Sequence, residues 1–177
     1  MPRSLSVRPL PLARLADFVR GHRVTPQQLA ALDPAPGERC WTRLDPAPPA
    51  GLAGSDWAVW LIAWAPGSST GWHDHGPSAG AFAVLSGTLT ERYARRAART
   101  GPALDLALPP GGPRSRALRT GQVRPFGPEH VHDVLNTGSA NAYSLHAYAR
   151  DLPLMRRYRL DGGRLLHTAT EVSGRDW

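Results

Sequence analysis

Two histidines one residue apart, His73 and His75, have the type and spacing to do chemistry. They follow the apolar run Trp57–Trp64, whose unbroken hydrophobicity over a strand's length predicts a buried β-strand leading into a turn. Because residues i and i+2 of a strand point to the same face, both imidazoles could enter one cavity. Such a pair is half of a site for a divalent transition metal. The alternative is two hydrogen-bonded histidines at a strand end.

A second histidine pair lies downstream, within residues 125–136. His130 and His132 are again two residues apart, so both could face the same cavity if they lie on a strand. Either one could complete a three-histidine metal site with the first pair. Three convergent histidines are rarely only structural, so the two stretches together favour a metal centre.

Both stretches resemble motifs of the cupins. Gly67, His73, His75, Gly80 and Gly87 have the spacing of the first cupin motif, with glycine at position 80 where that motif has glutamate. Because that carboxylate is missing, the third ligand must come from elsewhere and the metal keeps more positive charge.

The second cupin motif places a histidine three residues before an asparagine. His132 has this spacing to Asn136, whereas His130 fits the preceding Pro-x-Gly-x-x-His spacing. We take His132 as the third metal ligand and His130 as a nearby pocket residue.

Ser144, His146 and Tyr148 alternate along the chain, which places them on one face of a strand. This segment resembles the Ser-x-His-x-Tyr signature of the thiol dioxygenases, a branch of the cupins. The resemblance implies a relay in which Ser144 and His146 orient the phenol of Tyr148 toward the metal. The alternative is a polar stripe on a solvated strand face. A serine hydrolase is disfavoured because the chain has no Gly-x-Ser-x-Gly segment.

The segment from Trp41 to Arg43 resembles the aromatic-x-Arg segment of cysteine dioxygenase, whose arginine binds the substrate carboxylate. An arginine offers a planar fork that can pair with a carboxylate through two hydrogen bonds. Without the resemblance, Arg43 would be interpreted as a surface arginine. Gly80 stands where mammalian relatives have a cysteine cross-linked to the tyrosine, so the chain resembles the bacterial type of the cysteine dioxygenase type I family.

This resemblance implies a non-haem Fe(II) enzyme that converts L-cysteine and O2 to cysteine sulfinate. Iron would be bound by His73, His75 and His132, the substrate carboxylate by Arg43, and the intermediate would be steadied by Tyr148. One alternative is a dioxygenase for another small thiol, such as 3-mercaptopropionate, whose selective relatives carry glutamine in place of Arg43. A second alternative is a non-catalytic metal-binding sensor cupin.

The pattern of apolar, polar, glycine and proline residues along the chain predicts the elements that must position these residues. Two short amphipathic helices are expected before residue 34, the second with Thr25 as N-cap and Pro26 at its first position. Short β-type segments then alternate with Gly/Pro turns, as in a sandwich or barrel. Residues 45–55 and 101–113 are expected to form loops, and residues 161–163 a hairpin turn. We therefore expect an all-β fold, a jelly-roll-like cupin barrel with two N-terminal helices. Residues 1–37 would pack on a barrel of residues 38–177 as one domain.

Composition excludes several function classes. The 177 residues have 41% hydrophobic content, a single cysteine, Cys40, and no apolar run of membrane-spanning length. The net charge of +7 comes entirely from scattered arginines, because the chain has no lysine, and no nucleic-acid motif accompanies them. Since the N-terminus also lacks a signal-peptide pattern, we expect a cytoplasmic protein without nucleic-acid or membrane partners. We expect it to act as a monomer on a small thiol and O2.

Overall fold

The computed structural model describes residues 12–49, 57–95, 104–128, 130–149 and 151–175. Within them, two helices precede a series of strands, which confirms the predicted all-β class. The helices are α1 (Leu12–Gly21) and α2 (Pro26–Ala30). The strands are β1 (Arg39–Leu44), β2 (Trp57–Trp64), β3 (Trp72–Asp74), β4 (Gly80–Ser86), β5 (Thr88–Arg95), β6 (Leu106–Ala107), β7 (Arg114–Arg119), β8 (Val123–Phe126), β9 (His130–Leu135), β10 (Ala142–Ala149), β11 (Leu154–Asp161) and β12 (Arg164–Val172).

The strands form two antiparallel sheets. One has the order β1-β2-β10-β4-β8, and the other has the order β6-β12-β11-β3-β9-β5-β7. The short strand β3 lies between β9 and β11, and His73 is paired directly with His132 across it. The first sheet brings β10 between β2 and β4, so that His146 lies opposite both Trp60 and Phe82.

Alternation along β2 separates two apolar layers. Trp57 and Val59 pack in a cluster with helix α1, whereas Ile62 and Trp64 belong to the cluster inside the barrel, with Phe82. Because successive strand residues point to opposite faces, one unbroken hydrophobic run serves both layers. The predicted buried strand is therefore covered on both sides.

Helix α1 covers the outer face of the first sheet. Its buried residues Leu15 and Val19 pack with Trp57 and Leu145, and Phe18 meets Trp57 edge to face at 4.7 Å. Each such fully buried aliphatic side chain contributes roughly 1.5–3 kcal/mol of transfer free energy. Helix α2 begins as predicted, with the Thr25 side chain accepting a hydrogen bond from the Gln28 amide in a capping box.

Two strands differ from the sequence expectation. Strand β3 is only three residues long, so no alternating pattern could reveal it, and β6 lies inside residues 101–113, which were expected to form a loop. Part of that expected loop, and residues 50–55 of the loop expected at 45–55, lie outside the described residues. The hairpin turn expected at residues 161–163 is confirmed, since it joins β11 to β12. Among the described residues, no helix has the length and apolar character needed to cross a membrane.

Candidate metal centre

The structure brings His73, His75 and His132 together. His73 lies on β3, His75 directly follows that strand, and His132 lies on β9. One nitrogen of each ring lies within 4.8 Å of the others, and the Nε2 atoms of His73 and His75 are 3.2 Å apart. All three side chains are buried. The sequence predicted that these histidines face one cavity, and all three line one cavity in the structure.

Hydrogen bonds at the outer ring nitrogens define which nitrogen of two histidines carries a lone pair. His73 Nδ1 is 2.9 Å from the carbonyl oxygen of Gly71, and His132 Nδ1 is 2.9 Å from Glu91 Oε1. A carbonyl or an ionised carboxylate only accepts hydrogen bonds, so both Nδ1 atoms donate. The Nε2 atoms of these two rings therefore have free lone pairs, and the ring centroids of His73 and His132 are 4.7 Å apart.

This donor set fits a divalent transition metal. Two nitrogen ligands with bonds of about 2.1 Å lie about 3.2 Å apart on one ion, the separation of His73 Nε2 and His75 Nε2. Burial, followed by neighbouring histidines, lowers the pKa of both His73 and His75 well below the usual value, so both rings are neutral at neutral pH. His75 Nδ1 is buried and has no hydrogen-bond partner among the described residues. Neutral imidazole is the form that binds metals.

His130 occupies a different position from His132, its sequence competitor. Its Nε2 lies 2.7 Å from Glu91 Oε1, and the side chain is not part of the cavity lining. Burial lowers the pKa of His130 to about 4, although the hydrogen bond with Glu91 opposes the shift. Of the two histidines, His132 is thus the one whose Nε2 meets the first pair.

Ser144, His146 and Tyr148 form a buried chain of hydrogen bonds on β10. Ser144 Oγ lies 2.8 Å from His146 Nε2, and His146 Nδ1 lies 3.2 Å from the Tyr148 hydroxyl. Trp64 Nε1 donates to Ser144 Oγ at 2.8 Å. Since all three residues of the chain are buried, they do not form a solvated polar stripe.

The direction of this chain follows from the serine proton. Among the described residues, His146 Nε2 is the one acceptor within reach of the Ser144 hydroxyl. Ser144 then donates to His146 Nε2, and His146 Nδ1–H donates to the Tyr148 oxygen. The Tyr148 proton is left free to point into the cavity. Burial lowers the pKa of His146 to about 3 and raises the pKa of Tyr148, so both groups are neutral at neutral pH.

The three histidines and Tyr148 line one cavity of about 290 Å³. Its walls are largely apolar, and the ring centroids of His75 and Tyr148 are 4.9 Å apart. The apolar lining residues are Trp41, Trp60, Ile62, Val134, Leu152 and Met155. A space of this size accommodates a small molecule beside the metal ligands.

Two arginines that the sequence interpretation missed line the cavity, Arg39 and Arg157. Arg39 has no ion-pair partner among the described residues, and its guanidinium carbon lies 5.2 Å from the Trp41 ring centroid and 5.9 Å from that of Trp64. Arg157 is already paired with Glu171 at 2.7 Å. The signal for Arg39 was available, because it precedes Trp41 by two residues and so shares a face of β1 with it.

The structure does not bring Arg43 into the cavity lining. Its guanidinium Nη2 lies 3.1 Å from Asp151 Oδ1, and its side chain is 43% exposed. It borders the cavity only indirectly, since its guanidinium carbon lies 5.9 Å from the ring centroid of Trp60. Arg43 shares the strand face of Arg39 but lies four residues further along β1.

Gly80 lies where the first cupin motif has glutamate, and no side chain fits there. A Cβ atom at this position would come within 2.5 Å of the Phe126 ring and 3.0 Å of the Tyr148 ring. Aromatic packing therefore fills the space that a carboxylate ligand or a cross-linked cysteine would need.

Comparison with solved structures identifies the architecture. Oxalate oxidase in complex with glycolate is similar with a TM-score of 0.51 and 21% identity over 68% of this chain, and this chain spans about half of it, 55%. A protein from Klebsiella pneumoniae with a double-stranded β-helix domain is similar with a TM-score of 0.52 and 17% identity, over 84% of this chain and 99% of that one. These likenesses confirm the cupin fold, a double-stranded β-helix. No curated protein sequence matches the chain.

The sequence also matches a family described as cysteine dioxygenase type I, over residues 11–160. The match includes the three histidines, the Ser144–His146–Tyr148 chain and the strands that carry them. With its cupin fold and its three-histidine site, the chain belongs to the cysteine dioxygenase type I family.

Proposed function

We propose that this protein is a non-haem Fe(II) dioxygenase that converts L-cysteine and O2 to cysteine sulfinate. The observation that carries the proposal is the convergence of three buried imidazoles and a buried tyrosine hydroxyl on one small cavity. Membership of the cysteine dioxygenase type I family supports the same chemistry. In the balanced reaction, the thiol sulfur gains both oxygen atoms of one O2 and its proton becomes the proton of the sulfinic acid.

His73, His75 and His132 would hold the iron. When bound, the metal supplies open coordination positions for thiol and O2, and its charge favours the thiolate over the thiol. None of the three proposed ligands is a carboxylate, so the donor set itself brings no negative charge that would repel an anionic thiolate.

Arg39 is the group that we propose for the substrate carboxylate, in place of Arg43. Its guanidinium lies near two indole rings of the site and donates one hydrogen bond, from Nε to the Ser69 carbonyl at 3.3 Å. It has no ion-pair partner among the described residues, so its charge is available to a ligand. A carboxylate there would form charge-assisted hydrogen bonds in a partly desolvated setting. The positive charge of Arg157 reinforces the attraction, although Glu171 already neutralises part of it.

Tyr148 would donate a hydrogen bond to the sulfur or the oxygen of the bound reactants. Ser144 and His146 fix the phenol so that its proton points inward, and they hold no charge of their own at neutral pH. The apolar walls exclude water, which strengthens that hydrogen bond and limits loss of reactive oxygen species to solvent.

A second substrate, 3-mercaptopropionate, is favoured by one observation. Arg43 was the residue that distinguished the amino acid from the deaminated thiol, and it lies outside the cavity lining. Arg39 and Arg157 would bind the carboxylate of either compound. The two substrates therefore differ only in the amino group, which L-cysteine has and 3-mercaptopropionate lacks.

The test is oxygen uptake by the Fe(II)-loaded protein with L-cysteine, 3-mercaptopropionate and cysteamine. We expect uptake with L-cysteine, with sulfinate as the product. Faster uptake with 3-mercaptopropionate would transfer the assignment to that thiol. Absence of uptake with every thiol by protein that holds iron would contradict the enzymatic proposal and leave a metal-binding sensor.

Arg39→Leu and Arg43→Leu form a matched pair for the carboxylate site. Losing a charged hydrogen-bond donor costs about 1.5–3 kcal/mol, so we expect Arg39→Leu to raise KM for L-cysteine about 10- to 100-fold. Arg43→Leu should change KM much less. The reverse order of effects would restore Arg43 as the carboxylate ligand and reject Arg39.

A further inference from the structure

Glu91 is a fully buried carboxylate at the back of the metal centre. It lies on β5 and is 0% exposed. Its Oε1 atom accepts hydrogen bonds from His132 Nδ1 at 2.9 Å and His130 Nε2 at 2.7 Å. Its Oε2 atom accepts from Arg124 Nε at 2.9 Å. No part of the proposed reaction has used this residue.

The three proposed ligands differ in what supports them. His73 donates to the neutral carbonyl of Gly71, and His75 Nδ1 has no described partner. Of the three proposed ligands, only His132 donates to a carboxylate of the described residues. A histidine held in this way has a fixed tautomer, a fixed ring orientation and a more basic metal-binding nitrogen.

We infer that Glu91 is a positioning residue of the metal centre, which holds His132 with Nε2 toward the metal and delivers negative charge to it through the imidazole. This inference rests on the proposed role of His132 as a metal ligand. A carboxylate therefore lies next to the metal centre although Gly80 stands where the first cupin motif has a ligand glutamate. The negative charge of Glu91 acts through His132 and does not occupy a coordination position.

Only hydrogen-bond donors surround the Glu91 carboxylate among the described residues. Its Oε1 accepts from His130 and His132, and its Oε2 accepts from Arg124. Arg116 adds a second guanidinium, with Nε 3.4 Å from Oε2. Two arginines on one oxygen leave the other oxygen to the histidines.

A second metal among Glu91, His130 and His132 is the competing interpretation, since one donor atom of each lies within 4.8 Å of the others. Arg124 and Arg116 oppose it, because a divalent cation would lie beside two guanidinium groups that already compensate the carboxylate. Such a metal would also displace the Nδ1 proton of His132. The hydrogen bonds that Glu91 accepts from His130, His132 and Arg124 avoid both costs.

The first test compares zinc affinity in the wild-type protein and in Glu91→Gln, by competition with a chelating dye. Removing an outer partner of a ligand histidine typically weakens metal binding 10- to 100-fold, and we expect a loss in that range. Asp133→Asn is the matched control. Asp133 is also a buried carboxylate paired with an arginine, Arg92. It follows His132 on β9, but its side chain lies on the other face of the strand, and no hydrogen bond or ion pair joins its carboxylate to a ligand histidine. Its zinc affinity should stay within about threefold of wild type.

The second test needs no variant. In the zinc-loaded wild-type protein with labelled histidine nitrogens, nuclear magnetic resonance should show a proton on His132 Nδ1 and zinc on Nε2. Zinc or a lone pair on His132 Nδ1 would overturn the inference even if Glu91→Gln does not fold.

The outcomes separate this inference from the proposed function. Equal zinc affinity in wild type and a folded Glu91→Gln would reject the role of Glu91 while leaving the three-histidine site intact. Equal losses in Glu91→Gln and Asp133→Asn would show a general effect of buried charge and also reject it. A wild-type protein that binds no zinc or iron would overturn both proposals.

Discussion

At the scale of single residues, the centre depends on protons whose positions are set by neighbours outside the cavity. The carbonyl of Gly71 and the carboxylate of Glu91 each accept an Nδ1 proton, so that His73 and His132 turn their Nε2 lone pairs inward. Ser144 determines by the same logic how His146 and Tyr148 share their protons. The lone pairs of the histidine Nε2 atoms therefore face one side of the cavity, and the hydroxyl proton of Tyr148 faces the other side.

The role of this hydroxyl proton can be tested with Tyr148→Phe. The variant keeps the ring against His75 and Phe126 but removes the group that His146 holds. We expect kcat for thiol oxidation to fall about 10- to 100-fold, the usual loss when an outer-sphere hydrogen bond is removed, while iron affinity is retained. Steady-state oxygen uptake and iron titration measure the two effects.

Tyr143→Phe is the control for that variant. Tyr143 also lies on β10, but it is five positions from Tyr148, an odd step along the strand, so its side chain is on the opposite face and packs outside the barrel. Activity should be unchanged. Equal kcat values in Tyr148→Phe and Tyr143→Phe would remove Tyr148 from the mechanism.

At the scale of elements, β10 forms one wall of the site while also completing the core. Its even-numbered residues Ser144, His146 and Tyr148 carry the polar chain, and its odd-numbered residues Leu145 and Ala147 pack under helix α1. A shift of one residue in its pairing with β2 and β4 would exchange these two sets. The buried pattern on both faces fixes the register and hence the site.

Close packing between β4 and β10 leads to a prediction at Gly80. In Gly80→Ala the new Cβ would overlap the Phe126 ring and press on the Tyr148 ring. We expect the variant to lose about 1–3 kcal/mol of stability, as overpacked cores do, and to lose activity because Tyr148 is displaced. Urea unfolding and oxygen uptake measure these losses.

Gly127→Ala is the matched control, because a Cβ there meets nothing within 4 Å. It should leave stability and activity nearly unchanged. If Gly80→Ala behaves like Gly127→Ala, then aromatic packing does not exclude a side chain at position 80.

Long, strongly patterned elements could be predicted from the sequence, whereas short ones and distant partners could not. The apolar run of β2 and the capping signals of α2 lie within a few residues and were recognised as such. Strand β3 has three residues and exists because β9 and β11 lie on either side of it. Glu91 was missed because its partners on β9 are 39 and 41 residues away in sequence.

Arg43 shows a second limit of prediction from sequence. A strand pattern gives the face on which a side chain lies, but it does not show which positions along the strand lie next to the cavity. Arg39 and Arg43 share a face of β1, and yet one lines the cavity while the other pairs with Asp151. Which arginine reaches a cavity depends on where the facing elements end, and this is a tertiary property.

At the scale of the whole molecule, the buried histidines make folding dependent on pH. Burial lowers the pKa of His73, His75, His130 and His146, the last two to about 4 and about 3. In the unfolded chain these rings titrate near 6.5, so below that pH the unfolded state binds more protons than the native state. The stability that neutral burial provides is complete above about pH 6.5 and is lost as pH falls toward the folded pKa values.

We therefore expect the free energy of unfolding of the metal-free protein to fall between about pH 7 and pH 5, by up to about 1.4 kcal/mol per pH unit for each such histidine. Urea unfolding at a series of pH values measures the slope, and His146→Gln should make it shallower. Stability that is constant or increases on acidification would show that these rings are protonated in the native state.

The origin of the oxygen atoms in the product tests the central proposal most directly. The Fe(II)-loaded protein would be given L-cysteine under isotopically labelled O2, and the product would be analysed by mass spectrometry. A dioxygenase places both atoms of one O2 on the thiol sulfur, so we predict sulfinate with label in both oxygen positions. Cystine as the product, or sulfinate with oxygen taken from water, would contradict the proposal and leave the three-histidine cavity without the dioxygenase activity assigned to it.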